Sequence, residues 1–165
     1  VGTIITPDVN PSRVGTTHWS VINDPSSGVS DAVFVDNRLI VTSRSGRFGF
    51  RTSVNVQAGV RYLLKLQARH SVSHATDIPE DVPVPDIYLM AGFETQDGYY
   101  HSLHNKDVYR GDQDALWVVQ FDRDQTVALD FVYLIPWRSV RGFVEYRYAA
   151  MQVVPQDYGT PQIIP

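Results

Sequence analysis

The chain has 165 residues, 43% of them hydrophobic and 12% aromatic, a composition for one folded domain that buries roughly 70% of its unfolded surface. Its net charge of −4 is dispersed in both signs, which leaves no basic stripe for nucleic acid and no polybasic run for an anionic membrane. The absence of cysteine excludes disulfides, thiolate metal sites and a cysteine nucleophile, and no apolar run approaches the roughly 20 residues of a membrane-spanning helix.

Helical periodicity is almost absent, and short alternating runs recur instead. Strands are expected at about 17–22, 32–35, 38–43, 47–56, 60–70, 86–94, 99–103, 115–121, 126–135 and 141–154. Gly28, Gly46, Gly59, Gly98 and Gly111 fall between runs, where a tight reversal costs glycine least. Trp19 and Trp117 lie inside alternating strands and are expected in the core. The clearest stretch is 50–70: Val54 and Val56 alternate with polar neighbours, and Gln57-Ala58-Gly59 interrupts the pattern. Tyr62, Leu64, Leu66 and Ala68 then share one face, with Leu63, Lys65, Gln67 and Arg69 on the other. Ser71 to Asp86, with three prolines, four acids and one histidine, reads as one long stiffened loop. The pattern predicts an all-β jelly-roll sandwich of two antiparallel sheets over 12–155. Residues 1–11 read as an N-terminal extension and 156–165 as a C-terminal tail or linker. A start at Val1 without methionine suits a processed product, an excised domain, or numbering after methionine removal.

The succession Asn10-Pro11-Ser12, Gly15 and Trp19, then Arg38 to Val41, Val54 to Val56, Gly59, Tyr62, Leu64 and Ala68, with closing strands Phe131-Val-Tyr133 and Phe143-Val-Glu-Tyr146, resembles galactose-binding-like jelly rolls. These occur in carbohydrate-binding modules and in virion and tail proteins of bacteriophages. The resemblance implies a fold more firmly than an activity. Family members often carry paired aspartates for a structural calcium on the last strand. Here that strand, Arg147 to Val154, has none, so no cofactor is expected.

Binding a sugar requires aromatic surface for the apolar face of the ring and polar side chains for its hydroxyls. Phe143, Glu145 and Arg147 share one face by alternation, opposite Val144, Tyr146 and Tyr148. Set beside Lys65, Gln67 and Arg69, they form one candidate groove, with cross-strand ion pairs on a wetted sheet as the alternative. Tyr99, Tyr100 and His101, following Asp97-Gly98, form a second candidate together with Trp137 in a turn. His70 and His74, or His101 and His104, do not by themselves specify zinc. Asp77, Glu80, Asp81, Asp86, Asp122 and Asp124 could offer oxygen to calcium but lack the spacing of an EF-hand.

Catalytic signatures are missing: no Gly-x-Ser-x-Gly elbow, phosphate loop or His-Glu-x-x-His. Asp130 with Glu94 or Glu145 could supply a glycosidase carboxylate pair, but 18 acids on a β protein provide such pairs by chance. The sequence therefore reads as a non-enzymatic, extracellular module for a glycan or polysaccharide. Its alternative is a virion component, a capsid-decoration or tail protein attaching to capsid or tail proteins in a homo-oligomeric assembly.

Overall fold

A computed structural model describes residues 4–6, 19–25, 31–35, 38–42, 46–74, 88–107, 110–135 and 140–165. Side chains are described for 4–6, 19, 20, 22, 49–67, 90–103, 115–132 and 149–165. The Asn10-Pro11-Ser12 motif, Gly15, Gly28, Asp77, Glu80, Asp81, Asp86 and Trp137 lie outside the described residues.

Eleven strands are described: β1 Ser20–Pro25, β2 Asp31–Val35, β3 Arg38–Thr42, β4 Gly46–Val56, β5 Arg61–His74 and β6 Tyr88–Glu94 come first. β7 Tyr100–Asp107, β8 Arg110–Phe121, β9 Gln125–Ile135, β10 Val140–Val154 and β11 Gln162–Ile164 follow. They form two sheets, a five-stranded one in the order β1-β4-β9-β6-β7 and a six-stranded one in the order β11-β8-β5-β10-β3-β2. The fold is an all-β jelly-roll sandwich, as the alternation predicts.

Period-two patterning decides which side chains enter the space between the sheets. Phe50, Val54 and Val56 of β4, Phe93 of β6, and Val127, Leu129 and Phe131 of β9 face Tyr62, Leu64, Leu66, Val119, Phe121 and Met151 from the other sheet. Phe93 meets Phe121 edge-on across this gap, with ring centroids 5.1 Å apart. Trp19 meets Phe50 likewise at 4.9 Å. Such edge-to-face pairs add about 0.5–1.5 kcal/mol each beyond the area they bury.

Several boundaries differ from the sequence reading. β5 runs on through His74, so the first four residues of the expected 71–86 loop are strand. Gly111 lies inside β8 and not in a turn, whereas Gly59 and Gly98 do adopt positive φ, 76° and 86°. The expected tail is part of the sandwich. Ile164 is fully buried in the core, and β11 pairs with β8. That pairing is parallel, an exception to two purely antiparallel sheets. Residues 4–6 of the expected N-terminal extension lie along β10: Ile4 bridges Gln152, and the Ile5 amide donates to the Met151 carbonyl at 2.9 Å.

Candidate ligand-binding face

The outer face of the five-stranded sheet carries an ionic cluster built from three strands. On β4 the inward residues Phe50, Thr52 and Val54 force Arg51, Ser53 and Asn55 outward. Register places Arg51 opposite Asp130, Asp130 opposite Gly92, and Glu94 opposite Tyr100. Arg51 grips Asp130 with two parallel bonds, Nε to Oδ1 at 2.6 Å and Nη2 to Oδ2 at 2.9 Å. Its Nη1 donates to Glu94 Oε2 at 3.1 Å, and the Tyr100 hydroxyl donates to Asp130 Oδ2 at 3.2 Å.

Burial is graded across the cluster. The Asp130 side chain is 0% exposed, the Arg51 side chain 37% and the Glu94 side chain 44%. A fully buried carboxylate needs charge-assisted donors to offset its lost hydration, and the guanidinium fork supplies them. The Asp130 hydrogen bond is the largest influence holding the Arg51 guanidinium protonated beyond its ordinary value, against the opposing effect of burial. The result is a fixed polar platform that presents one edge of a guanidinium, a carboxylate and a phenol to solvent.

Gly92 makes the platform possible. A Cβ there would lie 2.2 Å from the Tyr100 hydroxyl oxygen, so only glycine lets the phenol lie across β6 to reach Asp130. Glu94 has small neighbours in its row, Ala128 opposite it and Ser53 beyond. Further along, Thr126 Oγ1 donates to Asn55 Oδ1 at 2.7 Å. Among the described side chains of this face, Met90 and Val132 toward the other end are buried, whereas Arg51, Glu94 and Tyr100 are partly exposed.

The loops beside Glu94 and Tyr100 are tied together. Thr95 donates from its hydroxyl to Asp97 Oδ1, and Arg123 pairs with Asp97 at 3.1 Å. The Thr95 hydrogen bond, with a smaller contribution from Arg123, holds the Asp97 carboxyl below the usual carboxylate range. The Ala58 amide donates to Asp124 Oδ1 at 2.7 Å, which gives that carboxylate a structural role. Among the described residues no group of three or more His, Asp or Glu side chains converges as a metal site.

The predicted site residues divide between the two sheets. Tyr99, Tyr100 and His101 belong to the five-stranded sheet and its β6–β7 turn. Tyr100 joins the cluster. Tyr99, 68% exposed, stands on the rim, its carbonyl accepting the Thr95 amide at 2.9 Å. His101 pairs in register with the buried Phe93, on the inward row. Lys65, Gln67, Arg69, Glu145 and Arg147 lie on the six-stranded sheet, so the two candidate sets are not one site.

Register does set Glu145 opposite Arg69, the neighbours the alternation suggested. Arg147 falls at a register shift between Tyr146 and Tyr148. The extra residue moves the alternation by one, so Tyr148 and not Arg147 stands opposite Gln67. One end of this face is also occupied. Arg61 Nη1 donates to the Tyr158 and Gly159 carbonyls at 3.3 and 2.7 Å, and Leu63, expected outward, is buried.

Arg51 and its partnership with Asp130 and Glu94 escape sequence reasoning, which paired the two acids only as a chance carboxylate couple. One signal was available. Asp130 is a lone acid in the apolar run Val127 to Ile135, and a carboxylate there requires a cation on a neighbouring strand.

No protein-family model matches the sequence, and no curated protein does. Solved structures do match the fold. A carbohydrate-binding module of the CBM4 type superposes with a TM-score of 0.53 at 10% identity, covering 84% of this chain and 88% of that one. The CBM22-1 xylan-binding domain of Paenibacillus barcinonensis Xyn10C gives 0.52 at 12% identity, covering 93% and 96%. The CBM22-1–GH10 modules of Clostridium thermocellum xylanase 10B, complexed with xylohexaose, give 0.54 at 11% identity, covering 92% of this chain and 29% of that one. The chain thus has the jelly-roll fold of carbohydrate-binding modules.

Proposed function

We propose that this protein is a non-catalytic carbohydrate-binding module that works outside the cell and holds its glycan on the Arg51, Glu94 and Tyr100 end of the five-stranded sheet. The observation that carries the reading is the Arg51–Asp130–Glu94–Tyr100 cluster, a rigid set of donors and acceptors on the exposed face of a sheet. Sugar hydroxyls both donate and accept, and a preorganised polar surface binds them with little ordering cost. Tyr99 on the rim adds an exposed ring of the kind that packs against a pyranose.

The same geometry argues against a glycosidase. Both Asp130 oxygens accept hydrogen bonds from the cluster, and the side chain has no exposure with which to meet a glycosidic oxygen or a water.

Calorimetric titration against a panel of soluble polysaccharides tests the proposal. Binding should weaken at least several-fold in Tyr100→Phe and Tyr99→Ala. Lys65→Ala, on the six-stranded sheet, should bind as the unaltered protein does. A loss confined to Lys65→Ala would move the site to the other sheet, and no binding across the panel would remove the function.

A further inference from the structure

The turn between β6 and β7 contains Asp97-Gly98, the single Asp-Gly pair of a sequence that has no Asn-Gly. We propose that Asp97 is a site of spontaneous isomerisation to isoaspartate, and that Thr95 and Arg123 hold the reaction back in the folded protein. The chemistry needs only water. The Gly98 amide nitrogen attacks Cγ of the Asp97 carboxylic acid, a C–N bond forms, and the acid hydroxyl leaves as water with the amide proton. A second water opens the succinimide ring at either carbonyl. One opening restores aspartate, and the other leaves the chain running through the former side-chain carboxyl, with no net change in mass. A following glycine favours the attack because no Cβ shields its nitrogen.

Ring closure requires a neutral carboxyl, a free amide and a rotation that brings Cγ to the nitrogen. The folded turn opposes each. The Gly98 amide donates to the Thr95 carbonyl at 2.9 Å, and the Thr95 amide to the Tyr99 carbonyl at 2.9 Å. With a φ of 86° at Gly98, this is the bond pattern of a tight three-residue hairpin loop. The Thr95 hydroxyl donates to Asp97 Oδ1, and Arg123 Nη2 lies 3.1 Å from Oδ2. The carboxylate must give up these partners before Cγ can turn to the nitrogen. The same contacts, that of Thr95 foremost, hold the Asp97 carboxyl below the usual carboxylate range, which reduces the share of reactive acid.

Burial is not what protects the site. The Asp97 side chain is 43% exposed, so water to open the ring is at hand. Isomerisation would add one atom to the backbone of a loop whose hydrogen bonds set β6 against β7, beside Tyr99 on the rim of the proposed binding face.

The test incubates the intact protein below its melting temperature at about pH 5, near enough to the ordinary aspartate value of about 3.9 for some acid to be neutral. The urea-unfolded chain is the unrestrained reference, and peptide mapping with electron-transfer fragmentation reads isoaspartate at each position. In urea, Asp97 should convert ahead of every other aspartate, and the folded protein should convert it many-fold more slowly. Thr95→Val should speed conversion several-fold in the folded state, Arg123→Gln less, with folding checked by melting curves. Thr95→Ser, which keeps the hydroxyl, should stay near the original rate. Conversion in urea led by another aspartate overturns the assignment of the site. Equal rates in the folded and unfolded chain, or an unchanged rate in Thr95→Val, overturn the protection.

Discussion

Replacing Arg51 with methionine takes from a carboxylate beyond the reach of water the two guanidinium donors that grip it. In the folded protein Asp130 is 0% exposed and takes bonds of 2.6 and 2.9 Å from the guanidinium. The Tyr100 hydroxyl at 3.2 Å donates more weakly. Breaking a buried pair by removing the cation costs about 3–5 kcal/mol. For a chain of this length that lowers the melting temperature by roughly 6–20 °C.

The reverse substitution is milder. Asp130→Asn leaves a guanidinium that is 37% exposed and still paired with Glu94, so solvent screening holds the cost to about 1–2 kcal/mol. The double variant should recover part of the combined loss, with a coupling energy of about 1–3 kcal/mol from urea denaturation of all four proteins. If Asp130→Asn is as damaging as Arg51→Met, or if the two losses simply add, the buried pair is not what organises this face.

Other perturbations follow from the same packing. Gly49→Ala should destabilise more than Gly92→Ala in thermal melts: a Cβ at Gly49 would stand 2.0 Å from the Phe131 backbone oxygen, whereas at Gly92 it meets the movable end of Tyr100. Overpacking of the first kind costs about 1–3 kcal/mol or more, and the second should chiefly shift the Tyr100 ring in a crystal structure. Ile164→Ala should lose about 2–5 kcal/mol in denaturant unfolding, as for any fully buried aliphatic side chain, whereas a tail residue would lose almost nothing. Asp97 has a lowered folded pKa, so its contribution is present above the ordinary carboxylate value of about 3.9 and is lost as pH falls through the folded value. In Thr95→Val, carboxyl NMR titration should show the Asp97 pKa rising toward that ordinary value, and an unchanged pKa would contradict the assigned cause.

Strand existence was legible because alternation is local: each residue's face is set by its own parity along the chain. Phe50, Val54 and Val56 announced one core face, and Tyr62, Leu64 and Leu66 the other. Local parity fails where a residue is added, as at Arg147, since a bulge becomes visible only against its partner strand. It fails also for β11, three residues too short to show a period, whose place beside β8 depends on Ile164 reaching the core.

The Arg51 cluster belongs to the tertiary structure for the same reason. Arg51 contacts Glu94 and Asp130 across 43 and 79 residues of chain, and no spacing rule links them. The sequence held two unread signals, the parity that turns Arg51 away from the core between Phe50 and Thr52 and the isolation of Asp130 in an apolar strand. Sheet order decided that each answers the other. It also decided that Tyr100 joins them while Lys65, Gln67 and Arg69 lie on the opposite side of the sandwich. Side-chain parity is a property of one strand, whereas the meeting of side chains is a property of the strand order, which only long-range pairing fixes.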